Sequence, residues 1–226
     1  MRVLIAAITL VITFLSCKAQ NVYQAGILPS ITLNKKLPAN WRINFNIQSR
    51  QQWQSGDFET SNSSGYDYLL TDVSIIGVKK VALNTSIGGG YLTRFEDKKV
   101  IHRSIQQVII TTKYSGFRLA HRILTDQTFE KEESVQYRLR YRLSARIPLN
   151  GRSLDPKEFY LKVNHEYLNQ LQGDEYDLGI RLAPYIGYSF SSRNTLELGL
   201  DYRLSSFIQS GSNNQFWGAL NWYFTI

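Results

Sequence analysis

The sequence predicts an all-β fold: a transmembrane, antiparallel, up-and-down β-barrel of about 10–12 strands following a cleaved signal peptide. Three observations predict it. Apolar and polar residues alternate with period two over long stretches of the 226-residue chain. The connections between those stretches alternate in length and charge, so consecutive strands turn in two different environments. The first twenty residues, "MRVLIAAITLVITFLSCKAQ", read as an export signal.

In the export signal, Arg2 forms a short positive start and Val3 to Leu15 is apolar, a run too short for a membrane-spanning helix. Cys17 and Ala19 are the small residues a signal peptidase reads, which places cleavage after Ala19 and leaves residues 20–226 as the barrel domain. An alternative processing route is lipidation at Cys17, since "LSC" loosely resembles a lipoprotein box with Phe14 where Leu is usual. Cleavage after Ala19 removes Arg2 and Lys18 but no acid, so the full-chain charge of +8 becomes +6. The chain's one cysteine leaves with the signal, and the exported chain needs no disulfide framework.

Period two is cleanest in four places. In "WRINFNIQSRQQW", Trp41, Ile43, Phe45 and Ile47 alternate with Arg42, Asn44, Asn46, Gln48 and Arg50. In "SVQYRLRYRLSARIPLN", Tyr137, Leu139, Tyr141, Leu143 and Ile147 alternate with Arg138, Arg140, Arg142 and Arg146. Leu178 to Ser189 and Leu196 to Leu204 repeat the pattern, with Arg181 and Arg203 on the polar rows, and the chain ends on the aromatic "FWGALNWYFTI". Segments 22–33, 68–79, 81–93, 100–113, 117–129 and 158–170 also read as strands, with less clear faces; in 100–113, Ile101, Ile105 and Ile109 compete with Val108 and Ile110. This makes eleven segments. Closed bacterial barrels usually have even strand numbers, so one segment is expected to be missed or false, the first being least secure because Pro29 interrupts it.

Short or basic connections are expected at Lys79-Lys80, Ser115-Gly116, 34–40 and 191–194; longer or acidic ones at 54–67, 130–133 and 172–177. Segment 149–158 is long where a short turn would fit the alternation. The clean strands run about a dozen residues, whereas a tilted strand needs about 9–11 to cross an outer membrane and soluble strands usually stop near about 5–6. Aromatics such as Trp41, Trp53, Tyr188, Phe190 and Trp222 stand near strand ends, as in an interfacial girdle.

An arginine row facing lipid would cost about 2–4 kcal/mol per residue at mid-membrane. The candidate binding residues are therefore lumen residues: Arg138, Arg140, Arg142, Arg146, Arg181 and Arg203, with Glu166, Asp177, Glu197 and Asp201 as pairing acids. "GGG" at 88–90 reads as a bend in the wall, not a phosphate loop.

Laid in order, Trp41 to Arg50, "GGGY" at 88–91, "HR" at 102–103, "RLRYR" at 138–142 and the aromatic last strand resemble a known family. It is the uncharacterised bacterial outer-membrane β-barrels grouped as domain of unknown function 2490. The resemblance spans essentially the whole mature chain and implies a fold and a location, with no activity or site residues to carry over. One departure is the C-terminus: Ile226 ends the chain, with Phe224 two before it, where such proteins commonly end on an aromatic residue.

No catalytic or metal-binding constellation is expected. His102 and Ser104 share a strand face, but no G-x-S-x-G elbow exists, and His165 points away from Glu166. No cofactor is called for. The expected setting is the outer membrane of a Gram-negative bacterium, with outer-membrane lipids and lipopolysaccharide as surroundings. Barrel-assembly machinery and periplasmic chaperones would act in biogenesis. No nucleic acid partner is expected, since the arginines alternate along strands instead of forming one outward patch, and the protein is expected to be a monomer. The functional expectation is a non-enzymatic, narrow barrel with an ion-paired, arginine-rich lumen that acts structurally or displays loops. The alternatives are a small anion-permeable pore and, last, an outer-membrane lipid-modifying enzyme.

Overall fold

The computed structural model describes residues 22–59, 62–208 and 211–226; the expected signal peptide and Cys17 lie outside the described residues. Eleven strands follow one another: β1 (Val22–Lys36), β2 (Trp41–Asp57), β3 (Asn62–Lys80), β4 (Thr85–Glu96), β5 (Lys99–Tyr114), β6 (Phe117–Phe129), β7 (Gln136–Pro148), β8 (Glu158–Gln172), β9 (Glu175–Ser191), β10 (Asn194–Ser205) and β11 (Asn213–Thr225). Each pairs antiparallel with the next in sequence, and β1 meets β11 to close the barrel.

All eleven sequence segments are strands, and the expectation of an even number is corrected. In a meander, odd-numbered strands run the same way, so β1 and β11 can close only as a parallel pair. They do so from Val22↔Asn213 to Asn34↔Thr225. Ser30 Oγ donates to Asn221 Oδ1 at 2.6 Å across this seam, inside the barrel. Pro29 is accommodated because the β1–β2 register runs from Ile27↔Gln51 to Ser30↔Gln48, while Pro29 stays opposite Leu220 on β11. A proline is tolerated where the ladder needs no N–H.

The region 54–67 is also corrected: most of it is strand, with Gln54↔Ser64 and Gly56↔Asn62 continuing the β2–β3 hairpin. Its polar residues have low strand propensity, but an extended antiparallel ribbon satisfies their backbone groups by itself. At 88–90, Gly88 and Gly90 turn inward against the β3 backbone; a Cβ on Gly88 would stand 2.7 Å from the Gly77 carbonyl oxygen.

The two barrel ends differ in charge. One end gathers the connections carrying Glu59, Asp97, Glu130, Glu132, Glu133 and Asp174, with Lys98 and Lys131 as their cations. The other gathers Lys36, Lys80, Lys113, Arg152, Lys157 and Arg193, with Asp155 and Glu158 as its acids. We call these the acidic and the basic end.

Candidate functional site: the charged interior

Strand alternation sorts side chains into two populations of opposite chemistry. Leu198 (58% exposed), Ile75, Ile123, Leu139 and Leu220 project outward, while Asp126, Glu166 and Glu197 project inward and are at most 1% exposed. The inside is therefore the polar side of the wall.

Three carboxylates organise the interior in tiers. Nearest the acidic end, Asp126 Oδ1 lies 2.7 Å from Arg138 Nη2 and 3.4 Å from Arg103 Nε. Midway, Glu166 is 2.6 Å from Arg140, 2.7 Å from Arg142, 3.4 Å from Arg122 and 3.5 Å from Arg181. Nearest the basic end, Glu197 accepts from Lys162 at 2.7 and 3.0 Å and from the Tyr160 hydroxyl at 2.8 Å. Arg146 stands 3.8 Å from the same carboxylate. Asp72 binds Arg94 through two nitrogens, at 2.7 and 3.0 Å, and Asp201 pairs with Arg203 at 2.6 Å. A charge removed from water without partners is costly, and these pairings offset that cost.

These groups surround a central cavity of about 330 Å³ that also touches Arg50 and Tyr185. The Arg50 guanidinium lies 5.3 Å from the Trp217 ring centroid. No carboxylate stands within ion-pair distance of it among the described residues. Trp217, fully buried, packs with Leu28, Ala183, Tyr185 and Ala219 as an apolar lining on one side of the lumen.

Of the residues anticipated from the sequence, Arg138, Arg140, Arg142, Arg181, Arg203, Glu166 and Asp201 line this cavity. Glu197 faces inward one tier away, and Arg146 lines a second cavity at the basic end. Asp177 is a correction: it accepts the Ser206 backbone N–H at 3.0 Å and closes the β10–β11 connection instead of pairing with an interior arginine. His102 and Ser104 lie on the outer face of β5, where His102 stacks on Tyr91 at 5.8 Å and Ser104 donates to Gln127. His165 packs on Tyr167 at 4.8 Å, on the face opposite Glu166.

Sequence reasoning missed Asp72, Asp126, Arg94, Arg103, Arg122 and Lys162; Arg50 was placed on the polar row of its strand but not singled out as a lumen cation. For the two acids the available signal was a carboxylate two or three residues from branched apolar residues, as in "LLTDVSII" and "ILTDQTF". In β5 both faces carry isoleucines, so alternation left Arg103 unplaced until Ile101 and Ile105 proved to point inward with it.

A family model matches residues 25–216, from β1 into β11. No curated protein and no solved structure matches the chain. Because that match covers most of the barrel, the chain belongs to the family described as protein of unknown function, DUF2490.

Proposed function

We propose that the protein is a monomeric, non-enzymatic outer-membrane barrel whose ion-paired interior makes it a filled scaffold for the loops at its two ends. One observation carries this reading: the wall is inverted relative to a water-soluble barrel, with Leu198 58% exposed outside and Glu166 1% exposed inside. In water, that arrangement would leave a broad apolar belt uncovered, beyond the patch size usual for a soluble monomer. In a bilayer the belt is solvated by acyl chains, and the closed ladder leaves no edge unpaired. Strands of 12–19 residues exceed the about 9–11 needed to cross. The narrow bore is occupied by long side chains from opposing walls.

The test is electrophoretic mobility of the detergent-purified protein, boiled against unboiled, together with cell fractionation. A faster unboiled band recovered from the outer membrane supports the reading. A soluble periplasmic protein with no mobility shift overturns it.

A second reading, a narrow anion-permeable pore, is favoured by Arg50, which faces the central cavity without a paired carboxylate. Planar-bilayer recording separates the two. The filled scaffold gives no steady conductance, whereas the pore gives steady conductance with an anion-selective reversal potential.

A further inference from the structure

At the basic end, four cations stand in one register row. Lys113 on β5 is opposite Arg118 on β6, Arg118 is opposite Arg146 on β7, and Arg146 is opposite Lys162 on β8. Alternation places all four on the inward face, in phase with Arg103, Leu124, Arg138 and Glu166. Like charges directly opposite on neighbouring strands destabilise a sheet. The row has one carboxylate, Glu197, which serves Lys162 at 2.7 Å and Arg146 at 3.8 Å. Among the described residues, Lys113 and Arg118 have no carboxylate within ion-pair distance. The β7–β8 connection adds a further cation, Arg152, whose carbonyl accepts the Gly116 N–H at 3.2 Å. That bond ties the connection over the β5–β6 turn.

Between these elements lies a cavity of about 300 Å³, lined by Lys113, Arg118, Arg146 and Arg152 together with Tyr114, Phe117, Pro148 and Leu154. Among the described residues, no Asp or Glu lines it. At roughly 30 Å³ per water in the liquid, it has room for a headgroup-sized ligand. Tyr114 and Phe117 are exposed on the barrel exterior and stack at 4.6 Å. The cavity therefore joins a row of cations at the basic mouth of the barrel, of which Lys113 and Arg118 are exposed and lack a carboxylate, to the apolar outer wall.

We propose that this cavity is a phosphate-binding site and that its ligand is the phosphate headgroup of an anionic lipid. Three guanidiniums and an ammonium match the oxygens of one phosphate, because guanidinium forks bind phosphate through paired N–H groups. A bound phosphate also supplies the negative charge that the row lacks. The apolar half of the lining distinguishes a lipid from free phosphate, since an inorganic anion has nothing to place against Tyr114, Phe117 and Leu154. The lipid assignment rests on the membrane reading above; the phosphate site does not.

The experiment is calorimetric titration of the full barrel in a neutral detergent with two probes, inorganic phosphate and dihexanoyl phosphatidylglycerol. Dihexanoyl phosphatidylcholine serves as the net-neutral control. Phosphatidylglycerol is expected to bind at least about tenfold more tightly than inorganic phosphate. Arg118→Gln and Arg152→Gln are each expected to weaken it about tenfold, the loss of one charge-assisted contact. Lys131→Gln at the acidic end is expected to leave binding unchanged. Equal affinity for both probes, each lost in Arg118→Gln, would overturn the lipid assignment and leave a site for free anions. No binding of either probe, or binding indifferent to Arg118→Gln, would overturn the site itself.

Unliganded Arg118→Gln should retain the heat-shifted band and melt at or above the parent midpoint, because a like-charge contact is relieved. A lower midpoint would mean that Arg118 is a structural residue, and would also overturn the site. If the protein proved soluble, the inorganic phosphate titration would still be informative, so failure of the membrane reading and failure of the site are distinguishable.

Discussion

Arg142 and Glu166 face each other across the β7–β8 register, with Arg142 Nε 2.7 Å from Glu166 Oε2. The same carboxylate lies within 4 Å of Arg122, Arg140 and Arg181, so one buried acid holds four guanidiniums drawn from β6, β7 and β9.

Glu166→Gln keeps the shape and removes the charge, leaving those four cations without their shared partner. Breaking a buried pair costs about 3–5 kcal/mol, and the lower end is expected because the arginines keep partial access to the lumen. The check is the thermal midpoint of the barrel in detergent, which should fall clearly. An unchanged midpoint would mean that lumen water already solvates the guanidiniums.

Gly187 on β9 lies beneath the ring of Tyr160, its register partner on β8. A Cβ there would overlap the ring, with both Cε atoms 2.6 Å away. Gly187→Ala must push Tyr160 aside and strain its hydroxyl bond to Glu197, at a cost of about 1–3 kcal/mol. In a Tyr160→Leu background the penalty should shrink, and a double-mutant cycle on urea unfolding measures the coupling. Full additivity would show that the ring and the glycine do not share the space.

Leu198 projects outward near the middle of β10. If lipid covers it, Leu198→Arg should cost about 2–4 kcal/mol and reduce recovery in the membrane fraction. An arginine at the same position in water would be nearly neutral. Equal stability and yield would therefore count against a lipid-facing wall.

Odd closure places Val22 and Thr225 at opposite ends of the barrel, because β1 and β11 run parallel. If the barrel spans the outer membrane as proposed, Val22→Cys and Thr225→Cys, introduced separately, should react with a membrane-impermeant maleimide from opposite sides of it. An even-stranded barrel would expose both from the same side, so co-labelling in intact cells would refute the eleven-strand closure.

Much of the wall is legible in the sequence alone. Between Gln136 and Ile147 every second residue is apolar, and a strand can place only one such row on each face. A row of arginines therefore determines the inside as soon as the outside is apolar. The same argument placed Arg181, Arg203, Glu197 and Asp201, and turn chemistry separated most of the segments, although Lys79-Lys80 ends β3 and the turn follows at 81–84. In β5 it failed. Ile101, Ile105 and Ile109 share one face and Val108 and Ile110 the other, so neither face has a distinctive chemistry until β4 and β6 impose their register.

Local pattern by itself thus determined the strands, most of their facings and the burial of charge within the barrel. Only the tertiary structure decided the parity of the closure, the pairing of each arginine with its carboxylate, and the alignment of Lys113, Arg118, Arg146 and Lys162 in one row. The physical reason is that alternation is a property of consecutive residues. Closure and register depend on hydrogen bonds between residues far apart in the chain, such as Val22 and Asn213, and no local window contains both partners.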